Sequence, residues 1–377
     1  MFYRNRRVID LRVIQRNMRQ ICDALPEGVR ALAVVKADAY GHGAAECAEA
    51  ALAGGASMLA VASVQEGIQL RMRGIKAPVL VLGAVMEADA EAGVEHGLIQ
   101  TVCSPEMVRL CEKSASYLHK QTEVHLKIDT GMGRIGVRSK EEIQAVLDAL
   151  SSSQHVKLTG VFTHFSDADG DEEGIEYTRG QFRDFLSMTE DLPAEVIRHC
   201  CNSAAMHRFP EMMLDMVRAG ISLYGYPPVD TPLELKPAMS WTARISFIKE
   251  LPAGSFVSYG RTFRTKKAMR VATVTCGYAD GYHRAAGDRG YVLIHGEKRK
   301  ILGRVCMDQM IVDITGMDQV LPGDNVTLMG VEGNESITAD DLASWAGTIS
   351  YEILLSVGSR VEREFIPVTE EKGEFKR

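Results

Sequence analysis

Short apolar runs alternate with helical stretches through the first half of the chain. Residues 59–62 and 79–83 have the length of buried strands, and apolar side chains recur at helical spacing over residues 11–25 and 64–73. Strands that alternate with helices favour parallel βαβ units. We therefore predict an α/β fold over residues 1–237, a (β/α)8 barrel of the TIM type with its active site at the C-terminal ends of the strands.

The pattern changes at a proline-rich segment. Four of the twelve prolines fall between Pro227 and Pro237, which is typical of a linker between domains. Beyond it, short apolar segments are separated by turn residues, so we predict a mainly β domain over residues 238–377 with one helix at 338–345. The predicted strands are 241–251, 269–276, 291–294, 300–305, 310–314 and 325–329.

Composition excludes several classes of protein. The net charge of −7 comes without any run of like charges, which argues against a nucleic-acid surface. No window has the apolar length of a signal peptide or a membrane span, so we expect a soluble, cytoplasmic protein. The eight cysteines show no metal-ligand spacing. Acidic residues at 167–173 miss the calcium-loop pattern, so we interpret them as a solvated loop and predict no metal site.

Lys36 ends the apolar run 31–35, where a buried strand would stop. A lysine at the end of a strand more often extends its charged amine into solvent than serves as a nucleophile. Burial instead disfavours the ammonium form and makes the amine a nucleophile near neutral pH. Such an amine suits a Schiff base with an aldehyde cofactor.

A second polar cluster follows in the run 124–129. By two-residue alternation His125, Lys127 and Asp129 share one face of this predicted strand. Because both faces of a barrel strand are covered, three ionisable groups in a row need partners. They form either a structural ion network or part of a functional site, and the pattern alone does not separate the two.

The string VVKADAYGHG at 34–43 resembles the cofactor-lysine motif of the alanine racemase family. The members of this family are enzymes of fold type III that use pyridoxal 5'-phosphate (PLP). The resemblance implies that Lys36 carries PLP and is one of two catalytic bases, and that Tyr40 contacts the cofactor phosphate. LKIDTGMGRIGV at 126–137 is similar to another motif of the family. It implies that Arg134 helps to hold the substrate region, and that Lys127 matches a lysine that carries a carbamate in many relatives.

Three further junctions resemble cofactor-binding positions of the family. His164 in a Thr-His-Phe context matches a histidine of the active-site network, and Ser203 matches a phosphate-binding serine, although an Asn-Ser pair is also a plain helix cap. Arg218 matches the arginine that faces the pyridine nitrogen, and Gly220 and Ile221 match backbone positions near the phosphate. An arginine cannot accept a proton, so it keeps that nitrogen unprotonated and limits the lifetime of the carbanion.

The second half carries matching strings as well. Tyr259 matches the catalytic tyrosine opposite the lysine, Tyr278 lines the substrate side, and Met307 and Asp308 belong to the loop that receives the substrate carboxylate. In the family these residues reach the active site of the other subunit, which implies a homodimer with shared sites. One position departs from the pattern: Ser359 stands where many alanine racemases have a tyrosine that narrows the pocket.

The resemblance implies an isomerase that interconverts L- and D-alanine through the bases Lys36 and Tyr259, and so supplies D-alanine for cell-wall peptidoglycan. Ser359 leaves open a serine or broad-specificity amino-acid racemase. A PLP decarboxylase of the same fold type and a PLP carrier without enzyme activity are two more distant candidates. The arginine at 218 opposes the decarboxylase, and the predicted β domain opposes the single-barrel carrier.

Overall fold

The structure, a computed structural model, describes residues 3–368, so residues 1–2 and 369–377 of the two predicted domains lie outside the described residues. Two compact units are present. The barrel unit contains residues 14–39 and 43–236, and the β unit contains the described residues up to Val13, residues 40–42 and those from Pro237 onward. Strand β1 (Asn5–Asp10) therefore belongs to the β unit, because it pairs with two strands of that unit.

Eight parallel strands form the barrel, as predicted. Their order along the sheet places β8 and β9 at its two ends. Backbone hydrogen bonds from Arg218 to Cys201 (3.1 Å) and from Asp215 to Arg198 (3.1 Å) connect these two ends, so the barrel is nearly closed. In chain order the strands are β2 (Arg30–Val34), β3 (Met58–Val61), β4 (Val79–Ala84), β5 (Ile99–Val102), β6 (Thr122–Lys127), β7 (Val156–Phe162), β8 (Ile197–His199) and β9 (Met216–Ala219).

A helix follows each barrel strand except the last, and one helix precedes the first. The predicted helix at 11–25 is α1, whose side chains Ile14, Met18 and Ile21 are almost fully buried. This one-sided burial is the reason why its apolar residues recur at helical spacing. The helices are α1 (Leu11–Asp23), α2 (Ala44–Ala53), α3 (Val64–Met72), α4 (Glu87–Glu95), α5 (Pro105–Leu118), α6 (Lys140–Ser151), α7 (Glu172–Thr189) and α8 (Ser203–Arg208).

The β unit is built around β1, which lies between an antiparallel and a parallel neighbour, β10 and β19. All other strand pairs of the unit are antiparallel. After β1, the strands of the unit are β10 (Met239–Leu251), β11 (Phe256–Val257), β12 (Phe263–Arg264), β13 (Met269–Val274), β14 (Tyr291–Ile294), β15 (Glu297–Lys300), β16 (Met310–Asp313), β17 (Asn325–Glu332), β18 (Glu335–Ile337) and β19 (Glu362–Ile366). The prediction of a mainly β domain is confirmed.

The predicted strand 300–305 is wrong in its position. The chain instead forms β15 over Glu297–Lys300, antiparallel to β14, with Ile294 opposite Glu297. His295 and Gly296 connect the two strands and both have positive φ, 51° and 78°. A two-residue turn of that kind matches the twist of a hairpin and fixes the register of the following strand.

Helix α9 (Ala339–Ala346) confirms the predicted helix of this domain. It begins with a capping box, because Thr338 accepts from the amide of Asp341 (3.1 Å) and Asp341 accepts from the amide of Thr338 (2.8 Å). A short helix, α10 (Ser350–Ser356), follows. Among the described residues, no helix combines the length and the apolar character that crossing a membrane requires.

Candidate active site

Lys36 lies two residues after the end of strand β2 and is followed by one turn of left-handed helix. Ala37, Asp38, Ala39 and Tyr40 have φ values of 52°, 53°, 55° and 53°. This conformation costs a residue with a side chain about 1–2 kcal/mol. The turn is therefore held by the surrounding structure, and it leaves the lysine at the C-terminal end of the strand.

Glu66 supplies part of that support. Its two carboxylate oxygens accept from the amides of Ala37 (2.8 Å) and Ala62 (2.6 Å), which follow the neighbouring strands β2 and β3. Asp38 adds a second contact, because its side chain accepts from the amide of Ala44 (2.9 Å) at the start of α2. Sequence reasoning missed Glu66, whose sequence context is that of an ordinary helix residue.

The charges around Lys36 favour its neutral amine. Burial lowers the pKa of Lys36, and the positive charges of Arg134 and Arg218 lower it further, while Glu66 opposes them. The direction of the shift is the one that a nucleophilic or basic lysine requires. The structure thus brings together three of the predicted site residues in the barrel unit.

Lys127 ends strand β6 and is 2% exposed. Burial, followed by the charge of Arg218, lowers the pKa of its amine to about 8. Its Nζ donates to the carbonyl of Ile128 (2.5 Å). The three residues of the predicted polar face do not all lie in the strand. Asp129 lies beyond the end of β6, and its carboxylate accepts from the amides of Gly131 (3.1 Å) and Gly133 (2.9 Å).

Arg218, on strand β9, is 3% exposed, and both of its terminal nitrogens are engaged as donors. It donates to the carbonyls of Thr163 (2.9 Å), Cys200 (2.9 Å) and His199 (3.0 Å) and to ring nitrogens of His164 (3.1 Å) and His199 (3.1 Å). Burial lowers its pKa to about 10, so it remains a cation at neutral pH. Because a guanidinium only donates, Nδ1 of His164 is unprotonated and its Nε2 carries the hydrogen.

His164 and His199 are both neutral. Burial holds the pKa of each ring well below its usual value, and the charge of Arg218 lowers both further. His199 was missed by sequence reasoning. Its signal was available, because it is the last residue of strand β8 and thus lies at the end of the barrel where functional side chains gather.

Ser203 does not cap helix α8, although an Asn-Ser pair at this place would suggest a helix cap. Asn202 caps α8 by accepting from the amide of Ala205 (3.0 Å). The Oγ of Ser203 instead accepts from the amides of Gly220 (3.0 Å) and Ser222 (3.3 Å). Its own hydroxyl hydrogen is therefore available for an acceptor such as a phosphate oxygen.

This donor set fits PLP. A serine hydroxyl and the amides around Gly220 and Ile221 suit the phosphate, a lysine with a lowered pKa suits the aldehyde, and a buried arginine suits the ring nitrogen. Arg134 and Arg218 also supply positive charge beside these residues, which favours an anionic ligand.

The predicted site residues of the second domain form a separate group within the β unit. Tyr259, Tyr278 and Met307 are 69%, 41% and 52% exposed, which is unusual for large apolar side chains. The segments of Tyr278 and Met307 are connected, because the amide of Tyr278 donates to the carbonyl of Cys306 (3.0 Å) and that of Ala279 donates to the carbonyl of Met307 (2.9 Å). The segment of Tyr259 joins them, because the hydroxyl of Ser258 lies 3.4 Å from the Sγ of Cys306. The three strings thus lie together on one surface.

Asp308 belongs to an ion-pair cluster beside these segments, and Ser359 directly precedes the arginine of that cluster. Arg360 pairs with Asp308 (2.8 Å) and with the buried carboxylate of Asp280 (3.4 Å). The amide of Gly358 donates to the carbonyl of Asp280 (3.0 Å), and Ser359 itself is exposed. Asp280 is a residue that sequence reasoning missed, and it joins the loop of Asp308 to the segment that carries Ser359.

Tyr40 is also in the β unit and is 8% exposed. Its ring lies 6.1 Å from that of Tyr351, and burial together with this neighbour raises the pKa of its hydroxyl above the usual value. It is therefore a protonated hydroxyl at neutral pH. No group of three acidic, histidine or cysteine side chains within residues 3–368 is arranged to hold a metal ion, and Asp171 from the acidic loop caps α7.

Two family models match the chain. The one described as "Alanine racemase, N-terminal domain" matches residues 9–228, and the one described as "Alanine racemase, C-terminal domain" matches residues 238–365. The alanine racemase of Carboxydothermus hydrogenoformans is 43% identical over 366 residues, which cover 95% of this chain and 98% of that protein.

Solved structures give the same result. Alanine racemase from Bacillus anthracis with bound L-Ala-P has a TM-score of 0.89 and 37% identity, and covers 97% of this chain and 96% of its own. A histidine racemase from Leuconostoc mesenteroides subsp. sake has a TM-score of 0.88 and 28% identity, and covers 96% of this chain and 98% of its own. The chain belongs to the alanine racemase family.

Proposed function

We propose that this racemase interconverts L- and D-alanine with PLP as its cofactor and with Lys36 and Tyr259 as its two bases. The observation that carries the proposal is the environment of Lys36. Its amine is partly buried at the end of a barrel strand, and Arg134 and Arg218 lower its pKa. A lysine in that state can both hold an aldehyde and exchange a proton with a substrate.

PLP, when bound, withdraws electrons from the Cα of an amino acid and so makes its proton acidic. Tyr259 removes this proton from one face of L-alanine, and Lys36 returns one to the opposite face. Arg218 would face the ring nitrogen of the bound cofactor without protonating it, which would keep the electron withdrawal moderate and suit a simple proton exchange. The Nε2–H of His164 is a donor that can stabilise the tyrosine in its deprotonated form.

The arginine at this position also separates the racemase from the decarboxylase. A decarboxylase gains from a carboxylate that protonates the ring nitrogen, whereas Arg218 donates through both of its terminal nitrogens and accepts nothing. A PLP carrier without activity would not need the surface of Tyr259, Tyr278 and Met307 in the β unit.

We further propose a homodimer with shared active sites. The support is the exposure of Tyr259, at 69%, together with that of Tyr278 and Met307 on the same surface. Exposed apolar side chains in a connected group indicate a surface that another protein covers. A cytoplasmic location and a role in supplying D-alanine for peptidoglycan complete the proposal. The eight cysteines, all within the described residues, are free thiols, as a reducing compartment would maintain.

Ser359 supports a second candidate, a racemase that also accepts serine or larger amino acids. A serine in place of a ring would widen the pocket and add a hydroxyl near a polar substrate side chain. The structural similarity to a histidine racemase is consistent with this candidate. A pocket change of this size alters discrimination by only about 1–3 kcal/mol, so relaxed specificity is the expected form.

The experiment is a comparison of kcat/KM for L-alanine, L-serine and L-histidine, with PLP added and the products separated by chiral chromatography. A preference for alanine supports the first candidate, and comparable values for serine or histidine support the second. Release of CO2 would identify a decarboxylase, and binding of PLP without turnover of any of the three would identify a carrier.

Ser359→Tyr should shift specificity toward alanine. We expect kcat/KM for serine to fall by about 10- to 100-fold relative to alanine, because the ring fills the space that a larger side chain needs. Ser359→Ala is the matched control, since it removes the hydroxyl without adding volume. If serine turnover is equal in the tyrosine variant and the parent enzyme, position 359 does not line the substrate pocket.

Lys127 should carry a carbamate in the presence of CO2. Its pKa of about 8 leaves a neutral fraction at physiological pH. The amine nitrogen forms a bond to the carbon of CO2 and loses a proton, and the resulting anion lies near Arg134 and Arg218. Carbon-13 NMR of the protein in labelled bicarbonate should show one carbamate resonance, which Lys127→Met abolishes and Lys140→Met retains. A spectrum in which Lys127→Met keeps the resonance contradicts this assignment.

A further inference from the structure

A third histidine, His125, continues the hydrogen-bonded chain behind Arg218. It lies in the middle of strand β6, is fully buried, and its Nδ1 is 3.0 Å from Nε2 of His199. The two rings meet at an angle of 63° with their centroids 5.1 Å apart. His125 lies outside the set of residues that the proposed reaction uses, and its burial requires a physical reason.

The direction of each hydrogen bond between Arg218, His199 and His125 follows from the chemistry of Arg218. Its guanidinium only donates, so Nδ1 of His199 must present a lone pair. A neutral imidazole with an unprotonated Nδ1 carries its hydrogen on Nε2. The Nε2–H of His199 therefore donates to Nδ1 of His125, and the opposite direction would leave His199 without any ring hydrogen.

The orientation of His199 is fixed separately from its protonation. Phe162 stacks on its ring with centroids 4.9 Å apart and an interplanar angle of 7°. The plane of the ring is thus set by packing, and only the position of the hydrogen remains to be decided. Arg218 sets this position from one side and His125 from the other, because the Nδ1 of His125 is the acceptor that the Nε2–H of His199 has among the described residues.

Strand β7 is adapted to make room for His125. A Cβ on Gly160 would come within 2.5 Å of the imidazole ring. The pairing of β6 with β7 also shifts register at this point, because Val124 pairs with Leu158 whereas His125 pairs with Gly160. The chain therefore uses a bulge and a glycine to place this ring.

The arrangement carries an energetic penalty. Nε2 of His125 is buried and has no hydrogen-bond partner within residues 3–368. Burial of a donor without a partner is unfavourable, and an apolar side chain at position 125 would avoid this cost. A neutral ring is nevertheless maintained, since burial lowers the pKa of His125 to about 3.

We propose that His125 is a positioning residue for Arg218. By accepting from His199, it keeps a lone pair on the nitrogen that faces the guanidinium. Nη1 of Arg218 has two hydrogens and, among the described residues, two acceptors, the carbonyl and Nδ1 of His199. Without His125, a hydrogen can move to Nδ1 of His199, and two donors then face each other. The inference rests on the proposed function, in which Arg218 holds the ring nitrogen of PLP.

His125→Leu removes the acceptor, and His125→Asn restores one, because its Oδ1 occupies nearly the position of Nδ1. We expect kcat for alanine to fall about tenfold in the leucine variant and less than threefold in the asparagine variant, with KM unchanged in both. Val124→Ala is the matched control, since Val124 is buried beside His125 on the same strand. It should lose stability without losing kcat.

The protonation of His199 is measured directly, without PLP, by nitrogen-15 NMR of histidine-labelled protein. We expect Nδ1 of His199 to resonate as an unprotonated nitrogen in the parent and in His125→Asn, and as a protonated or exchanging one in His125→Leu. A protonated Nδ1 in the parent overturns the inference, and so does a leucine variant with the kcat of Val124→Ala. If the parent enzyme racemises no amino acid, the proposed function is refuted instead. The NMR result then still shows in which direction the hydrogen bonds between Arg218, His199 and His125 run.

Discussion

Replacement of Lys36 by alanine should lower racemisation of alanine in both directions by at least about a thousandfold. Removal of a positioned base costs about 10²–10⁴ in rate, and this side chain is also the one that holds PLP. L→D and D→L rates are both affected, because every turnover passes one proton to or from Lys36. The measurement is chiral chromatography of the product from each enantiomer.

Lys36→Arg is the matched variant. It keeps the positive charge but cannot become neutral, so it should be as inactive as the alanine variant. Folding should survive Lys36→Ala, because burial and the neighbouring cations already disfavour the charged lysine and its loss removes no ion pair on which the barrel depends. Wild-type rates in Lys36→Ala, with the melting temperature unchanged, would refute the mechanism.

The barrel was predictable because its strands are buried on both faces. Such strands are short, apolar runs with little polar interruption, and residues 59–62 and 79–83 are recognisable in the sequence. Lys36 could be singled out for a related reason, because it is a polar residue near the end of such a run, and the C-terminal ends of parallel strands meet at one edge. Ser203 and Arg218 were predicted from the family resemblance instead.

Strand β1 was not predictable from local pattern. Its sequence Asn5–Asp10 is mostly polar, and its partners are more than 200 residues away, at Met239–Ala243 and Glu362–Ile366. The pairing depends on tertiary structure, which a window of ten residues does not contain. For the same reason strand β15, with the sequence Glu-Lys-Arg-Lys, was placed too late in the chain.

The left-handed turn after Lys36 is another feature that propensity opposes. Ala37, Asp38 and Ala39 favour right-handed helix or strand, and no glycine lies between Lys36 and Gly41. The turn forms because Glu66 and Asp38 engage backbone amides on neighbouring elements. Departures of this kind from local preference concentrate at functional sites, where the surrounding structure imposes them.

Hydrogen-bond partners were the least accessible part of the site. His125 and His199 are 74 residues apart, and their contact depends on the register shift between β6 and β7 and on the closure of the barrel. The sequence placed His125 correctly on a buried, polar face, yet it left open whether that face was structural. The hydrogen bonds that run from Arg218 through His199 to His125 give this polar residue of β6 a specific proposed role.

Tyr259→Phe should separate the two halves of the reaction. We expect racemisation to fall by about 10²–10⁴ in both directions, because the base on one face is missing. Exchange of the Cα hydrogen of D-alanine with deuterated solvent should continue, since Lys36 still serves that face. Exchange from L-alanine should be lost. Proton NMR of each enantiomer in D2O measures both rates.

Tyr291→Phe is the control, because Tyr291 is also a partly exposed tyrosine of the β unit and has no assigned role at the site. Its rates should equal those of the parent enzyme. Equal loss of exchange from both enantiomers in Tyr259→Phe would mean that one base serves both faces or that the tyrosine only positions the substrate. Selective loss from L-alanine requires two bases on opposite faces, because removal of a tyrosine from an enzyme with a single base for both faces would abolish exchange from both enantiomers or from neither.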